Sequence, residues 1–277
     1  MIDILIGVVT YNPDPVRLQE MLDSVRNQAK KIFIVDNHSN NIGLWKEMVL
    51  QHYVNVKIVI NKKNYGIAHA LNQIFLWGEE NSYKWVLTLD QDSICPTNLI
   101  SDMVKYIDQE KIAVIGPTIK DRNKVEQIIP KEEIVEVDNC ITSGSLNCIE
   151  AWNKIGGFDE WMFIDGVDFD FCHRIRNAGY RIVINKNIIL NHEIGHITMR
   201  RFLWMPVVVR NHSAFRKYYI VRNIIYLDKK ENNGRIALKT FFRVLKQFVL
   251  VILYENEKNI KIKKMVKGVS DGIKVKF

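Results

Sequence analysis

The feature that most constrains this chain is a regular alternation over its first 115 residues: short, wholly apolar runs followed by longer amphipathic stretches. Runs at 4–9, 31–35, 55–60, 85–89 and 112–115 read as strands, and 15–28, 41–53, 66–80 and 96–109 read as helices between them. Asp14 before Pro15 supplies an N-cap and a first-turn proline for the first helix. Strands that are apolar throughout need cover on both faces, and helical crossovers join parallel neighbours. The expectation is an α/β fold with a mostly parallel, Rossmann-like sheet flanked by helices.

In such sheets ligands bind at the carboxyl ends of the strands. Those ends carry Thr10-Tyr11-Asn12, Asp36-Asn37, the segment 61–66 and Asp90-Gln91-Asp92. Two carboxylates two positions apart on extended chain can approach one hard divalent cation, which also takes phosphate oxygens. The tripeptide alone is weak, because a solvated turn has the same sequence and a second copy, Asp168/Asp170, is present. Asp36 suits a hydrogen bond to a nucleoside or a cap on the next helix. Asn64 and Gly66 open a helix kept slim by Ala68 and Ala70, which offers a helix N-terminus to an anion or nucleotide. No Gly-Lys-Ser/Thr follows, so this is no Walker loop.

The middle is less regular. Residues 141–148 read as a strand carrying Thr142-Ser143-Gly144-Ser145, 150–155 as a short helix, 168–178 as a helix closed by Gly179, and 181–184 and 188–190 as strands. Two apolar–basic helices are expected at 215–227 and 236–254. The division expected is a domain over 1–200 and a basic, mainly helical extension over 201–277.

Charge follows that division. Residues 201–277 hold 18 Lys/Arg against 5 Asp/Glu, a net of +13, whereas residues 1–200 hold 21 against 26. A tail of this kind seeks an anionic partner: a membrane surface, a phosphate-bearing substrate or a nucleic acid. Nucleic acid is disfavoured, since the charge is confined to the tail and no nucleic-acid motif occurs. Arg216 and Arg222 could clamp a diphosphate or lie on a solvated helix face. Lys239, Arg243 and Lys246 recur at helical spacing among apolar residues, and Lys258, Lys261, Lys263, Lys264 and Lys267 follow. This suits a helix at an anionic membrane surface; the competing reading docks it on its own domain or on a second subunit in a homodimer. No run of 18 apolar residues occurs, no basic leader precedes the first strand, and the four cysteines form no Cys-x-x-Cys pair. A cytoplasmic protein, peripheral at the inner face of the plasma membrane, is expected, without a zinc site.

Taken in order, Val8-Val9-Thr10-Tyr11-Asn12, Val35-Asp36-Asn37-His38-Ser39, Asn64-Tyr65-Gly66-Ile67-Ala68 and Leu89-Asp90-Gln91-Asp92-Ser93 resemble the signature of family 2 glycosyltransferases with a GT-A fold. Gly156-Gly157-Phe158-Asp159-Glu160 and the segment from Phe163 to Asp170 resemble that family's acceptor-side motif, and the likeness covers residues 3–200. The Asp-Gln-Asp-Ser form, the Phe-Ile-Asp-x-Val-Asp form and Tyr218-Tyr219-Ile220-Val221-Arg222-Asn223 are most similar to bacterial rhamnosyltransferases.

The resemblance implies an inverting transfer with Mg²⁺ or Mn²⁺. It makes Asp92 the direct metal ligand, with Asp90 touching the metal, ribose or donor sugar, and His192 meeting metal or diphosphate in competition with His196. Thr10, Tyr11, Asn12, Asp36, Asn64 and Gly66 fall at nucleotide-sugar positions. Asp168 matches the base that deprotonates the acceptor, and Trp161 and Asp165 fall on the acceptor side. Many relatives carry Glu-Asp where this chain has Val167-Asp168, which leaves Asp165 to take any helper role. The implied donor is dTDP-L-rhamnose, with UDP-hexose or UDP-galactofuranose open, and the acceptor is a cell-surface polysaccharide or lipid-linked saccharide. A nucleotidyltransferase is disfavoured because Thr10-Tyr11-Asn12-Pro13 stands where a glycine-rich basic loop belongs.

Overall fold

The structure, a computed structural model, describes residues 3–121, 133–192, 198–202 and 204–276. The chain forms two compact units, 1–163 with 167–193 and 164–166 with 194–277.

The first unit holds strands β1 (Ile4–Thr10), β2 (Lys31–Asp36), β3 (Val56–Ile60), β4 (Trp85–Asp90), β5 (Ile112–Asp121), β6 (Ile134–Glu136), β7 (Ser145–Cys148) and β8 (Arg181–His192). Its helices are α1 (Pro15–Val25), α2 (Lys46–His52), α3 (Ile67–Glu80), α4 (Leu99–Met103), α5 (Ile149–Lys154) and α6 (Val167–Asn177). One eight-stranded sheet runs β3-β2-β1-β4-β7-β5-β8-β6. The pairs β1–β2, β1–β4, β2–β3 and β5–β8 are parallel.

Alternation along β1 sorts its side chains to two faces. Ile4, Ile6 and Val8 join Leu18, Met21 and Leu22 of α1 in the main core. On the other face α3 comes so close that a Cβ at Gly7 would run into Ile74, and one at Gly78 would touch Leu5 and Val86. Each fully buried Leu or Ile here contributes roughly 1.5–3 kcal/mol. Asp14 caps α1 as expected, its Oδ1 accepting from the Val16 and Arg17 amides at 2.9 and 3.0 Å.

Three local expectations are corrected. The stretch 141–148 is a turn followed by β7, which runs antiparallel between β4 and β5 with Thr88 opposite Ser145. Its reversed direction sets the polar turn 142–144 beside the carboxyl end of β4. The helix expected at 96–109 is α4 and a 3-10 turn over Val104–Tyr106, which together bury Leu99, Met103, Tyr106 and Ile107. The two strands expected after Gly179 are one, β8, whose pairing with β5 shifts register beyond Pro117.

The second unit opens with an unforeseen hairpin, β9 (Thr198–Phe202) against β10 (Met205–Val209). Helices α7 (Ala214–Glu231), α8 (Leu238–Tyr254) and α9 (Lys258–Lys274) follow, the last also unforeseen. Gly268 and Gly272 let α9 press on α7, since a Cβ at either would strike the Tyr218 or Arg222 carbonyl. Val221, Val251 and Met265 form a small core there. Glu255 is buried between Lys217 at 2.6 Å and Lys261 at 2.9 Å. Among the described residues no helix is long and apolar enough to cross a membrane, and the four cysteines are free thiols.

Candidate active site

The polar strand ends of the first unit are tied to one another. Asp36 and Thr10 are both 0% exposed. The Asp36 carboxylate accepts from the Thr10 hydroxyl at 2.9 Å, the Ser39 amide at 2.7 Å and the Ser39 hydroxyl at 2.5 Å. The sequence pattern puts Thr10 and Asp36 against a nucleotide; in the structure the two side chains also hold each other, and the neighbouring Tyr11 and Asn12 are exposed. A buried carboxylate with three donors is a satisfied group that locks two loops together. Asn12, at φ 47°, donates its amide to Ser39 Oγ at 2.7 Å and accepts from the Asn40 amide at 2.8 Å.

The Asp90–Asp92 turn joins the same assembly. Gln91 turns away from the acids, and its Oε1 accepts from the Tyr11 amide at 2.9 Å. From the other side, Ser143 Oγ accepts from the Asp90 amide at 3.2 Å and meets Ser93 Oγ at 2.7 Å, and the Thr88 carbonyl takes the Gly144 amide at 2.7 Å. With the backbone held on both sides, Asp90 and Asp92 stand half-buried at the end of β4. Gln91 and Ser143 escaped sequence reading; the one signal for Ser143 is its place in a Thr-Ser-Gly-Ser run.

Helix α3 brings the later motif to this edge. Asn64 Oδ1 accepts from the Gly66 amide at 2.9 Å, and Gly66 takes φ 92°. A Cβ at Gly66 would collide with Phe163, whose carbonyl accepts from the Ile67 amide at 2.7 Å. Only glycine allows both the backbone angle and that approach. One turn further, His69 Nδ1 lies 2.7 Å from Glu160 Oε2, and Asn72 donates to the Phe158 carbonyl and Glu160 Oε1 at 2.9 Å each. Residues 158–163 are thus clamped to α3, and α6 begins four residues later. Buried amides complete the frame: Asn37 donates to the Gly66 carbonyl at 3.0 Å, and Asn61 to Asn37 at 3.0 Å and Gln73 at 2.9 Å. Asn72 and Gln73 were also missed, although two adjacent amides inside an apolar helix are a visible oddity.

Asp168 lies in the first turn of α6, half-buried, one residue inside the helix rather than at its cap. Asp170 is buried and bound to Arg174 at 2.7 Å. Trp161, 37% exposed, sits on the 3-10 turn Glu160–Met162, whose cap is Asp159. His192 ends β8, and its side chain, like all of His196, lies outside the described residues.

In the second unit, Asp165 at φ 65° takes two bonds from Arg216, Nη2 to Oδ1 at 2.5 Å and Nε to Oδ2 at 3.2 Å. Arg222 does not lie on the solvated helix face that was one of its two readings. It is 8% exposed, lies over the Tyr219 ring at 4.6 Å and donates to Asn223 Oδ1 from Nε and Nη2 at 3.0 and 2.9 Å. Burial lowers its pKa. Asn223 in turn holds the Ile164 and Asp165 carbonyls at 2.8 and 2.7 Å. His212 beside them is pushed down to about 4, chiefly by burial and then by the Arg216 charge.

The resemblance implies a divalent cation, and the donor set at Asp90–Asp92 fits one. Two half-exposed carboxylates on a braced turn match hard-cation sites in which one or two protein carboxylates bind and substrate phosphates complete the shell. Among the described residues no three His, Cys, Asp or Glu side chains form a complete cage.

Comparison with known proteins gives a consistent result. The model for "Glycosyl transferase family 2" matches residues 5–202. The dTDP-rhamnosyl transferase RfbF of Shigella flexneri is 27% identical over 284 residues, which covers 96% of this chain and 94% of that one. The solved mannosyltransferase PcManGT from Pyrobaculum calidifontis, in complex with GDP-Man and Mn2+, has a TM-score of 0.60 at 13% identity, covering 96% of this chain and 74% of that one. GalNAc-T7 with UDP, GalNAc and Mn2+ has a TM-score of 0.61 at 14% identity; 83% of this chain is covered and 48% of that one, so this chain spans about half its length. The shared architecture is the GT-A fold expected from the motifs.

Proposed function

We propose, from the premise that this chain belongs to glycosyl transferase family 2, that it is an inverting, metal-dependent rhamnosyltransferase using dTDP-L-rhamnose. The likeness to RfbF along nearly the whole chain supports that donor. The observation that carries the reading is the double bracing of one sheet edge: Gln91 ties the acidic turn to Tyr11, and Phe163, four residues before α6, is tied to α3 at Gly66.

In this reading Tyr11, Asn12, Asn64 and Gly66 form the donor side, framed by the buried Thr10–Asp36 pair. Asp92, Asp90 and His192 would hold a cation, Mg²⁺ or Mn²⁺, which when bound would supply the positive charge that balances a departing diphosphate. Asp168 accepts the proton of an acceptor hydroxyl. The hydroxyl oxygen forms its bond to the anomeric carbon while the bond from that carbon to the diphosphate oxygen breaks, its electron pair leaving with the diphosphate. Attack opposite the leaving group inverts the anomeric centre. Trp161, exposed on its turn, belongs to the acceptor side. The enzyme works in the cytoplasm at the inner membrane face, on a saccharide or lipid-linked acceptor.

The test is a panel of dTDP-L-rhamnose, UDP-hexoses and UDP-galactofuranose with Mg²⁺ or Mn²⁺, scored by thermal shift and donor hydrolysis. The expected result is a cation-dependent response largest for dTDP-L-rhamnose. A UDP-sugar in first place would overturn the donor assignment and leave glycosyl transfer standing; indifference to the cation would overturn the metal role.

A further inference from the structure

Among the described residues, helix α8 packs its hydrophobic side chains chiefly along one line. Val244 and Phe248, partly buried, pack with the buried Val251 against Val221 and Met265. At about 100° per residue, Leu238, Phe241, Phe242, Leu245, Ile252 and Leu253 fill the roughly one-third of the circumference beside that line. All six are exposed, Leu238 at 72% and both phenylalanines at 58%. Lys246, Lys239 and Arg243 border the far edge of this arc. The helix carries no acid.

We propose that this face of α8 docks on an anionic lipid surface, the helix lying in the plane of the interface with its apolar arc among the acyl chains and its basic edge at the headgroups. This deepens the proposed location at a membrane face and does not depend on which sugar is moved. Two observations select the occupant. The first is charge complementarity: residues 238–276 carry ten Lys/Arg against three Asp/Glu, and one of those acids, Glu255, is buried and neutralised by Lys217 and Lys261. Anionic headgroups supply the missing counter-charge, at a gain for each nearby cation. A second copy seated antiparallel on this face about a two-fold axis would instead set basic edge against basic edge. The second is the side chains themselves. An apolar arc led by adjacent phenylalanines and flanked by long basic stems is the pattern of a helix that lies on a membrane.

The full chain is sedimented with phosphatidylcholine vesicles with and without phosphatidylglycerol, at low and raised salt. Binding is expected only with phosphatidylglycerol and is expected to weaken with salt. The double variant Phe241→Glu, Phe242→Glu should bind roughly a hundredfold more weakly, and Lys239→Glu with Arg243→Glu should lose the salt-sensitive part. Both pairs are exposed, and an unchanged melting curve for each verifies folding. The proposal is overturned if the unaltered chain stays in the supernatant, or if both variants sediment as it does. It is equally overturned if light scattering shows a dimer that the phenylalanine variant dissociates while vesicles bind neither protein. Donor turnover in solution, read in parallel, reports on the transferase reading alone and is expected to be equal in all three proteins.

Discussion

Asp90 and Asp92 flank Gln91 on the turn that ends β4, and Asp168 and Asp170 flank Phe169 in the first turn of α6. The two tripeptides have the same acid spacing and opposite outcomes. On the turn, the middle residue swings away to hold Tyr11, and both acids stay half-exposed. On the helix, residues two apart point roughly 200° from each other, so the pair is split. Asp170 goes inward to Arg174, which also donates to the Ile155 carbonyl at 2.9 Å, while Asp168 remains half-exposed. Backbone geometry, not spacing, decides whether two acids can share an ion. In the proposed reading the first pair shares an ion, and the second is divided between a base, Asp168, and a group that Arg174 holds, Asp170.

That contrast breaks most visibly at Asp92. Asp92→Ala is expected to lower cation-dependent donor turnover by roughly 10³- to 10⁴-fold, as removal of a metal-held charge costs several kcal/mol in the transition state. A Mn²⁺ titration of donor hydrolysis reads it. Activity close to that of the unaltered protein would remove the turn from metal binding and leave the two tripeptides functionally alike.

Asp168→Asn comes next. Loss of a base within a preserved shape is expected to reduce transfer by about 10³-fold. Cation-dependent thermal stabilisation by dTDP-L-rhamnose should be unaffected, because the donor-side loops are untouched. If donor affinity fell together with transfer, Asp168 would belong to the donor side and the division between the tripeptides would need redrawing.

Much of this was legible in the residues. Apolar runs located β1 to β4 and their polar ends, because a strand buried on both faces has few other sequences open to it. The ordered motifs pointed to the candidate residues on the strand ends and in α6. What stayed hidden depends on partners distant in sequence. Nothing near Gln91 announces that it will brace Tyr11, and nothing near Asn72 announces Glu160, 88 residues away. Arg222 read equally as a diphosphate clamp or as a cation on a solvated helix face, but the glycines of α9 bring that helix close enough to bury it. The direction of β7 was equally unreadable, since four residues, three of them buried, carry no mark of parallel or antiparallel pairing.

The smallest effect is the sharpest test of the split at α6. Asp170→Asn keeps the shape and an acceptor oxygen while removing the charge beside Arg174, whose side chain is 20% exposed against 3% for Asp170. The loss of a charge-assisted bond in that setting costs about 2 kcal/mol, so the melting temperature should fall by several degrees. Transfer per folded molecule should hardly change, since Asp170 faces the Ile155 carbonyl through Arg174 rather than the acids of the sheet edge. Arg174→Met should lower stability in the same direction, and the two changes combined should cost less than their sum, as expected for partners in one pair. A fall in kcat at unchanged stability would instead make Asp170 a second chemical group, and α6 would then present both of its acids to the reaction.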